Sequence, residues 1–150
     1  MVHVEVSDTV PVPKDKLFSL MSDYNNWPKL FPTSHAGVRL ISKEGDAERI
    51  ELEDIRYGKV IEIHKVIPPD RIEIEEFTPN WKGRFMNLFE PASDSSTRLT
   101  LKVDITGRNF IFKVIAPFSK GYIRNRVKKE IHEDLKRTAR TILAQRGIQQ

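Results

Sequence analysis

Polar side chains that share the strand phase of apolar ones are the residues of this sequence best placed to do chemistry. Asp54 shares its phase with Ile50 and Leu52, so a continued strand would turn its carboxylate inward. Arg56 follows in the same phase, where it could pair with Asp54 or meet an anionic group of a ligand. Because an unpaired buried carboxylate is costly, we favour a bend or bulge that returns both side chains to solvent. An inward Asp54 is the alternative.

Asn87 raises the same question on a later predicted strand. It lies in phase with Phe85 and Phe89, while Met86 and Leu88 occupy the other face. Both faces of this strand are apolar enough to be buried, so the sequence leaves open whether Asn87 points inward.

His64 has the side chain best suited to moving a proton near neutral pH. It shares its phase with Glu62 and two valines. The opposite phase carries Ile61, Ile63 and Ile67. The isoleucine face is the better candidate for the core, which predicts that His64 points outward. An inward His64 would instead supply an imidazole for general acid–base catalysis.

Metal, phosphate and thiol chemistry are not predicted. The four histidines are never paired at helical i, i+4 spacing, and His132-Glu133 lacks the second histidine of a zinc-protease motif. Cysteine is absent, which excludes disulfides and cysteine-ligated metals. Ser119-Lys120-Gly121 does not form a phosphate-binding Walker pattern. We therefore expect no metal and no cofactor.

Alternation with period two predicts the strands that would position these residues. One strand opens the chain, with Val2, Val4 and Val6 on one face, and about six consecutive strands follow Gly37. Four residues of the last strand, Leu99, Leu101, Val103 and Ile105, should share one apolar face. Two short helices are predicted between the first strand and the rest, one from Lys14 to Asp23 and one beginning at Pro28. Consecutive strands with short turns form an antiparallel meander.

A long amphipathic helix is predicted from Phe118 to Arg146. Pro117 precedes it, Ser119 could cap it, and Gly147 stands where a helix stops. At about 1.5 Å per residue it would be roughly 40 Å long, and its apolar stripe needs a broad partner surface. The prediction is an α+β fold, in which a curved antiparallel sheet of about seven strands wraps around this helix within a single domain, residues 1–150.

The charge distribution singles out the same C-terminal segment. The formal charge is +4, and from Gly107 to Gln150 the basic residues far outnumber the acidic ones, whereas the rest of the chain is acidic. We interpret this as the solvated face of the helix; a surface for RNA or anionic membrane is the alternative. No apolar stretch is long enough to span a bilayer, and the N-terminus lacks the features of a signal peptide, which predicts a cytoplasmic protein.

Three short segments, in this order of elements, resemble one known superfamily. Tyr24–Pro32 is similar to its aromatic-Pro-x-apolar-x-Pro helix, Pro68–Ile72 to the turn between its middle strands, and Trp81–Phe85 to the start of a later strand. The chain thus resembles the START/Bet v 1-like (SRPBCC, helix-grip) superfamily, in particular its polyketide cyclase and coenzyme Q-binding branches. That resemblance implies a cavity between sheet and helix, which in the family holds lipids, sterols, quinones or polyketides.

Binding or transport of a small hydrophobic ligand (lipid, quinone or polyketide-like) is therefore our first hypothesis. The second is an enzyme of the polyketide cyclase/dehydratase type, with Arg56, Tyr57 and His64 as candidate catalytic residues. The third is a ribosome, RNA or protein interaction module that uses the basic helix. The oligomeric state stays open. The expected ligand-binding residues are Trp27, Phe31, Leu52, Asp54, Phe77, Trp81, Phe85, Asn87, Leu101, Val103, Tyr122, Val127 and Ile131.

Overall fold

The computed structural model describes residues 1–30, 35–55, 57–108, 121, 124–125, 128–129, 132–133, 136–142 and 144. Strand β1 (Val2–Val10) is followed by helix α1 (Lys14–Ser22), a 3₁₀ turn (Tyr24–Asn26) and helix α2 (Trp27–Leu30). Six further strands follow: β2 (His35–Glu44), β3 (Ala47–Asp54), β4 (Gly58–Ile67), β5 (Arg71–Phe77), β6 (Trp81–Ser93) and β7 (Ser96–Gly107).

The seven strands form a single curved antiparallel sheet in the order β1-β7-β6-β5-β4-β3-β2. Strands β2 to β7 are a meander, and β1 returns to pair with β7, so that Val4 lies opposite Val103. This arrangement leaves β1 and β2 at the two edges. The predicted α+β fold class and the predicted number of strands are confirmed.

The core lies on one face of this sheet, which we call the inner face. Leu99 and Val103 are fully buried there, and Leu101 and Ile105 pack against the same cluster. Ile142, from the C-terminal segment, belongs to that cluster. The predicted inward face of the last strand is confirmed, because the alternation of β7 places all four side chains on one side.

Helix α1 covers part of the inner face and is short for reasons visible in the sequence. Leu17 and Met21, one turn apart, are its buried residues. Pro13 occupies the N-cap position directly before Lys14, and its ring restricts the backbone where the chain enters the helix. Asp23 then ends α1 in an extended conformation and accepts a hydrogen bond from the Asn25 backbone N–H at 3.0 Å. The 3₁₀ turn and α2 follow directly.

The described residues of the C-terminal segment, between 121 and 144, are helical. Pro117, Ser119 and Gly147, which define the predicted ends of the helix, lie outside the described residues. In the part of the chain that the structure describes, no helix is both long enough and apolar enough to cross a bilayer.

The polar composition of residues 91–96 predicts a loop, but most of this segment belongs to strands. Strand β6 continues to Ser93 and β7 begins at Ser96, with Pro91 opposite Thr97. The polar composition reflects the exposed ends of two long strands, because strand ends that project beyond the core need no apolar face.

Candidate functional site

Buried polar side chains cluster on the inner face of β3, β4, β5 and β6. The strand register brings them together, because Glu62 lies opposite Glu76 on β5 and the next inner residue of β4, His64, lies opposite Ile74. Each is at most 9% exposed: Asp54, Glu62, His64, Glu76 and Asn87. Buried ionisable groups are rare unless they are paired or functional, so this half of the inner face is the candidate site.

His64 is buried, and the prediction that it points outward was wrong. It is 4% exposed, on the same face as Val60 and Glu62. The isoleucines Ile61, Ile63 and Ile67 are half-buried on the opposite face. The apolarity of β4 by itself favours the isoleucine face, but the register is fixed by the inner faces of its neighbours β3 and β5, and these place His64 inside.

Asp54 is also buried, which contradicts the favoured bend into solvent. Strand β3 continues to Asp54, which is 4% exposed and accepts a hydrogen bond from the Tyr57 backbone N–H at 3.2 Å. Opposite it, Gly58 has φ 78°, a conformation that favours glycine. Asp54 thus caps the turn between β3 and β4, and this hydrogen bond offsets part of the cost of burial. Arg56 lies outside the described residues.

Glu62 and His64 form the central contact of the site. Glu62 Oε2 and His64 Nε2 are 2.6 Å apart, and both side chains are almost fully buried. The Trp27 ring lies 4.5 Å from the His64 ring, centroid to centroid, and the Trp27 indole N–H donates to the Met21 carbonyl at 3.0 Å. Helix α2 therefore holds an aromatic surface against the imidazole.

Burial changes the proton affinities of this pair in opposite directions. It raises the pKa of Glu62 to about 7, with a smaller contribution from the nearby Asp54 charge, while a hydrogen bond with Glu76 acts in the other direction. Burial lowers the pKa of His64 to about 4, against the opposing effect of Glu48 and Glu76. Both shifts favour the uncharged forms, so between about pH 4 and 7 the pair is a hydrogen-bonded unit of a protonated Glu62 carboxyl and a neutral His64 imidazole. Glu62 in such a unit can exchange its proton near neutral pH.

Tyr24 connects the helical side of the site to the sheet. Burial, together with a hydrogen bond to Glu48, raises the pKa of Tyr24 to about 12, so its hydroxyl stays protonated and donates to the Glu48 carboxylate. Glu48 lies opposite His64 in the β3–β4 register, and the Tyr24 and His64 rings are 6.0 Å apart. The contact therefore stands directly beside the Glu62–His64 pair.

An open groove of about 620 Å³ adjoins this contact. Its walls come from α1 and the 3₁₀ turn on one side and from β2, β3 and β4 on the other. Six of its lining residues are Phe18, Tyr24, Leu40, Lys43, Glu48 and Val66. We call it the edge groove, because β2 is an edge strand.

The sequence-predicted ligand residues fall into three groups. On the inner face, Trp27, Leu52, Asp54, Asn87 and Val103 are buried, Phe85 and Leu101 are half-buried against the core, and Trp81 is half-buried in the same strand phase. Phe77 is placed elsewhere. Outside the described residues lie Phe31, Tyr122, Val127 and Ile131.

Phe77 lies on the outer face and does not line the inner one. It is the residue after the inward Glu76, its ring contacts the Lys82 ammonium at 5.0 Å, and it pairs with the outer residue Ile61. Tyr57, a candidate catalytic residue, is 49% exposed, with its ring 5.9 Å from that of Trp81, away from the contact between Glu62 and His64.

Sequence reasoning missed Glu62, Glu76, Glu48 and Tyr24 as members of the site. The shared phase of Glu62 and His64 was visible in the sequence, and it would have identified the pair once His64 was placed inward. The partners on β3, β5 and the 3₁₀ turn had no local signal. Among the residues described, no group of histidine and carboxylate side chains is arranged to hold a metal ion.

The order of strands and helices and the covered inner face define a helix-grip protein, and comparison with known proteins identifies the family. A family model described as polyketide cyclase / dehydrase and lipid transport matches residues 1–142. The chain belongs to this family, within the START/Bet v 1-like superfamily. This membership supports ligand binding or cyclase activity as the general role.

Solved structures share the fold at low sequence identity. TTHA0849 from Thermus thermophilus has a TM-score of 0.73 and 17% identity, and the match covers 95% of this chain and 97% of that one. Zhui aromatase/cyclase from Streptomyces sp. R1128 has a TM-score of 0.71 and 15% identity, and the match covers 95% of this chain and 92% of that one. The di-domain ARO/CYC BexL from the BE-7585A biosynthetic pathway has a TM-score of 0.79 and 19% identity, and the match covers 95% of this chain and 46% of that one. No curated protein sequence gave a significant match.

Proposed function

We propose that this protein binds a small hydrophobic ligand that carries one polar group, against the inner face of the sheet. The ligand is of the lipid, quinone or polyketide-like kind. Its apolar body would pack against the apolar side chains of β6 and β7, and its polar group would meet the Glu62–His64 pair. The observation that carries the proposal is this hydrogen-bonded pair, buried on the inner face beside Asp54, Glu76 and Asn87.

The energetic argument is that a structural core has no need of such a pair. Burying two ionisable side chains is costly, and apolar residues of similar volume often stabilise a core as well or better. Ligand sites, in contrast, are mostly apolar with a few polar groups that fix orientation. A neutral pair can donate a hydrogen bond to a carbonyl or accept one from a hydroxyl, which suits quinone and polyketide groups.

Native mass spectrometry of gently purified protein, with extraction of any bound molecule, tests the proposal. We expect one hydrophobic molecule per chain, with lower occupancy in Glu62→Gln and His64→Gln. Glu73→Gln, on the outer face of β5, is the matched control and should retain full occupancy. A wild-type protein that carries no ligand and takes up no neutral fluorescent probe such as N-phenyl-1-naphthylamine would contradict the proposal.

A dehydratase or cyclase activity is the second candidate, and it is favoured by the 2.6 Å Glu62–His64 contact. In a β-hydroxy ketone, neutral His64 would take the α proton while protonated Glu62 gives its proton to the departing hydroxyl. Water leaves and a carbon–carbon double bond forms. The proton on His64 then returns to Glu62 across their contact, which restores both groups.

Dehydration of 4-hydroxy-4-phenylbutan-2-one, followed through the absorbance of the enone product, tests this second candidate. We expect turnover by the wild type and its loss in Glu62→Gln, with Glu73→Gln unchanged. If the wild type binds the neutral probe but releases no enone, the protein acts on this class of compound only as a binder.

A further inference from the structure

The edge groove is built from two different layers of the fold. Phe18 and Tyr24 come from α1 and the 3₁₀ turn, while Leu40, Glu48 and Val66 come from β2, β3 and β4. A groove of about 620 Å³ is large enough for a small organic molecule.

The strand residues that line the groove belong to the inner face of the sheet, near its β2 edge. Leu40 lies opposite Ile50, Glu48 opposite His64, and Val66 opposite Ile72. All three partners are buried on the inner face, and opposite residues of an antiparallel pair point to the same side. The groove therefore opens onto the same surface that carries the Glu62–His64 pair.

Leu40 is an apolar lining residue of the groove that is exposed to solvent. It is 41% exposed although it points to the inner side of the sheet. Together with Phe18 and Val66 it forms an apolar strip, which we call the track, in a lining that is polar on its helical side. Asp23 and Glu48 outnumber Lys43 among the charged lining residues, so the groove disfavours an anion.

Tyr24 stands at the inner end of the track. It lines the groove together with Glu48 and presents its ring 6.0 Å from the His64 ring. Displacement of the Tyr24 side chain would open the groove toward the pair without any change in the strand register.

We propose that the edge groove is the entrance through which a neutral hydrophobic ligand reaches the inner face, and that the Tyr24 side chain, which lies between the groove and His64, closes it. This inference rests on the proposed function and adds the route to it. An entrance and a binding contact differ in their effect on the kinetics. An obstruction at the entrance slows association and dissociation by the same factor and leaves Kd unchanged, because the bound state is not altered.

Stopped-flow measurements with N-phenyl-1-naphthylamine, excited directly, test the entrance. Leu40→Trp adds bulk to the open groove and should slow both rate constants several-fold with Kd unchanged. Ile41→Trp is the control, since Ile41 is similarly exposed, at 44%, on the same strand and does not line the groove. Its rates should equal those of the wild type.

Tyr24→Phe removes the hydroxyl of the closing side chain and keeps its ring. Both rate constants should rise about tenfold, the factor that a hydrogen bond to a charged acceptor is worth. Equal rates in Leu40→Trp and Ile41→Trp, or a change confined to dissociation, would overturn the entrance while the proposed function stands. A wild-type protein that does not bind the probe at equilibrium refutes the proposed function, and the entrance with it.

Discussion

The opposite pKa shifts of Glu62 and His64 predict that single substitutions reveal a pH dependence of stability that the intact pair conceals. The pKa of Glu62 rises from 4.5 to about 7, so its contribution to stability is present below pH 4.5 and is lost as pH rises toward 7. The pKa of His64 falls from 6.5 to about 4, so its contribution is present above pH 6.5 and is lost as pH falls toward 4. Between about pH 4.5 and 6.5 the Glu62 contribution falls with rising pH while the His64 contribution rises, so the two pH dependences of stability cancel.

When one partner is removed, the pH dependence that the other partner gives to the free energy of unfolding is no longer cancelled. Each pKa unit corresponds to about 1.4 kcal/mol, so the shift of each group corresponds to about 3 kcal/mol over its full range. Relative to wild type, Glu62→Gln should therefore gain stability as pH rises from 4.5 to 7. His64→Gln should lose stability as pH rises from 4 to 6.5.

Urea unfolding across this pH range, followed by tryptophan fluorescence, measures the difference. The free energy of unfolding of each variant is compared with that of the wild type, so that the titration of all other groups cancels. Glu73→Gln, on the outer face, should run parallel to the wild type. If both buried-site variants also run parallel to it, or share the same sign of slope, the pair is not the neutral unit described above.

Two further predictions concern packing and the basic segment. Gly83→Ala should destabilise the fold by roughly 1–3 kcal/mol in urea unfolding, because its Cβ would lie 2.7 Å from the Phe85 ring and 2.8 Å from the Trp81 ring. Gly37→Ala, whose Cβ would meet nothing nearer than 3.8 Å, is the control, and an equal cost in both would contradict this reasoning. For the basic C-terminal segment we expect no co-sedimentation with anionic vesicles and no RNA gel shift at physiological salt; binding that weakens steeply as salt rises would favour the macromolecular alternative.

Local sequence determined the elements of this protein. Alternation in β1 and β7, the proline before α1 and the turn residues between strands are properties of neighbouring residues, so they predict strands, helices and turns without knowledge of the partner elements. The meander follows because consecutive strands with short connections pair with each other. The apolar face of β7, with Leu99 and Val103, was evident for the same reason.

Tertiary structure alone decided which face of β4 is buried. The phase of a strand is local, but the inward direction is set by pairing with its neighbours, and the apolarity of β4 by itself favours the opposite face. The register with β3 and β5 places Glu62 and His64 inside, opposite Glu76 and Ile74. The Tyr24–Glu48 contact joins residues of two layers that no sequence period relates. The chain thus encodes its scaffold locally, whereas the candidate site exists only where four strands, the 3₁₀ turn and helix α2 meet, because burial and the proton affinities it changes depend on all of them.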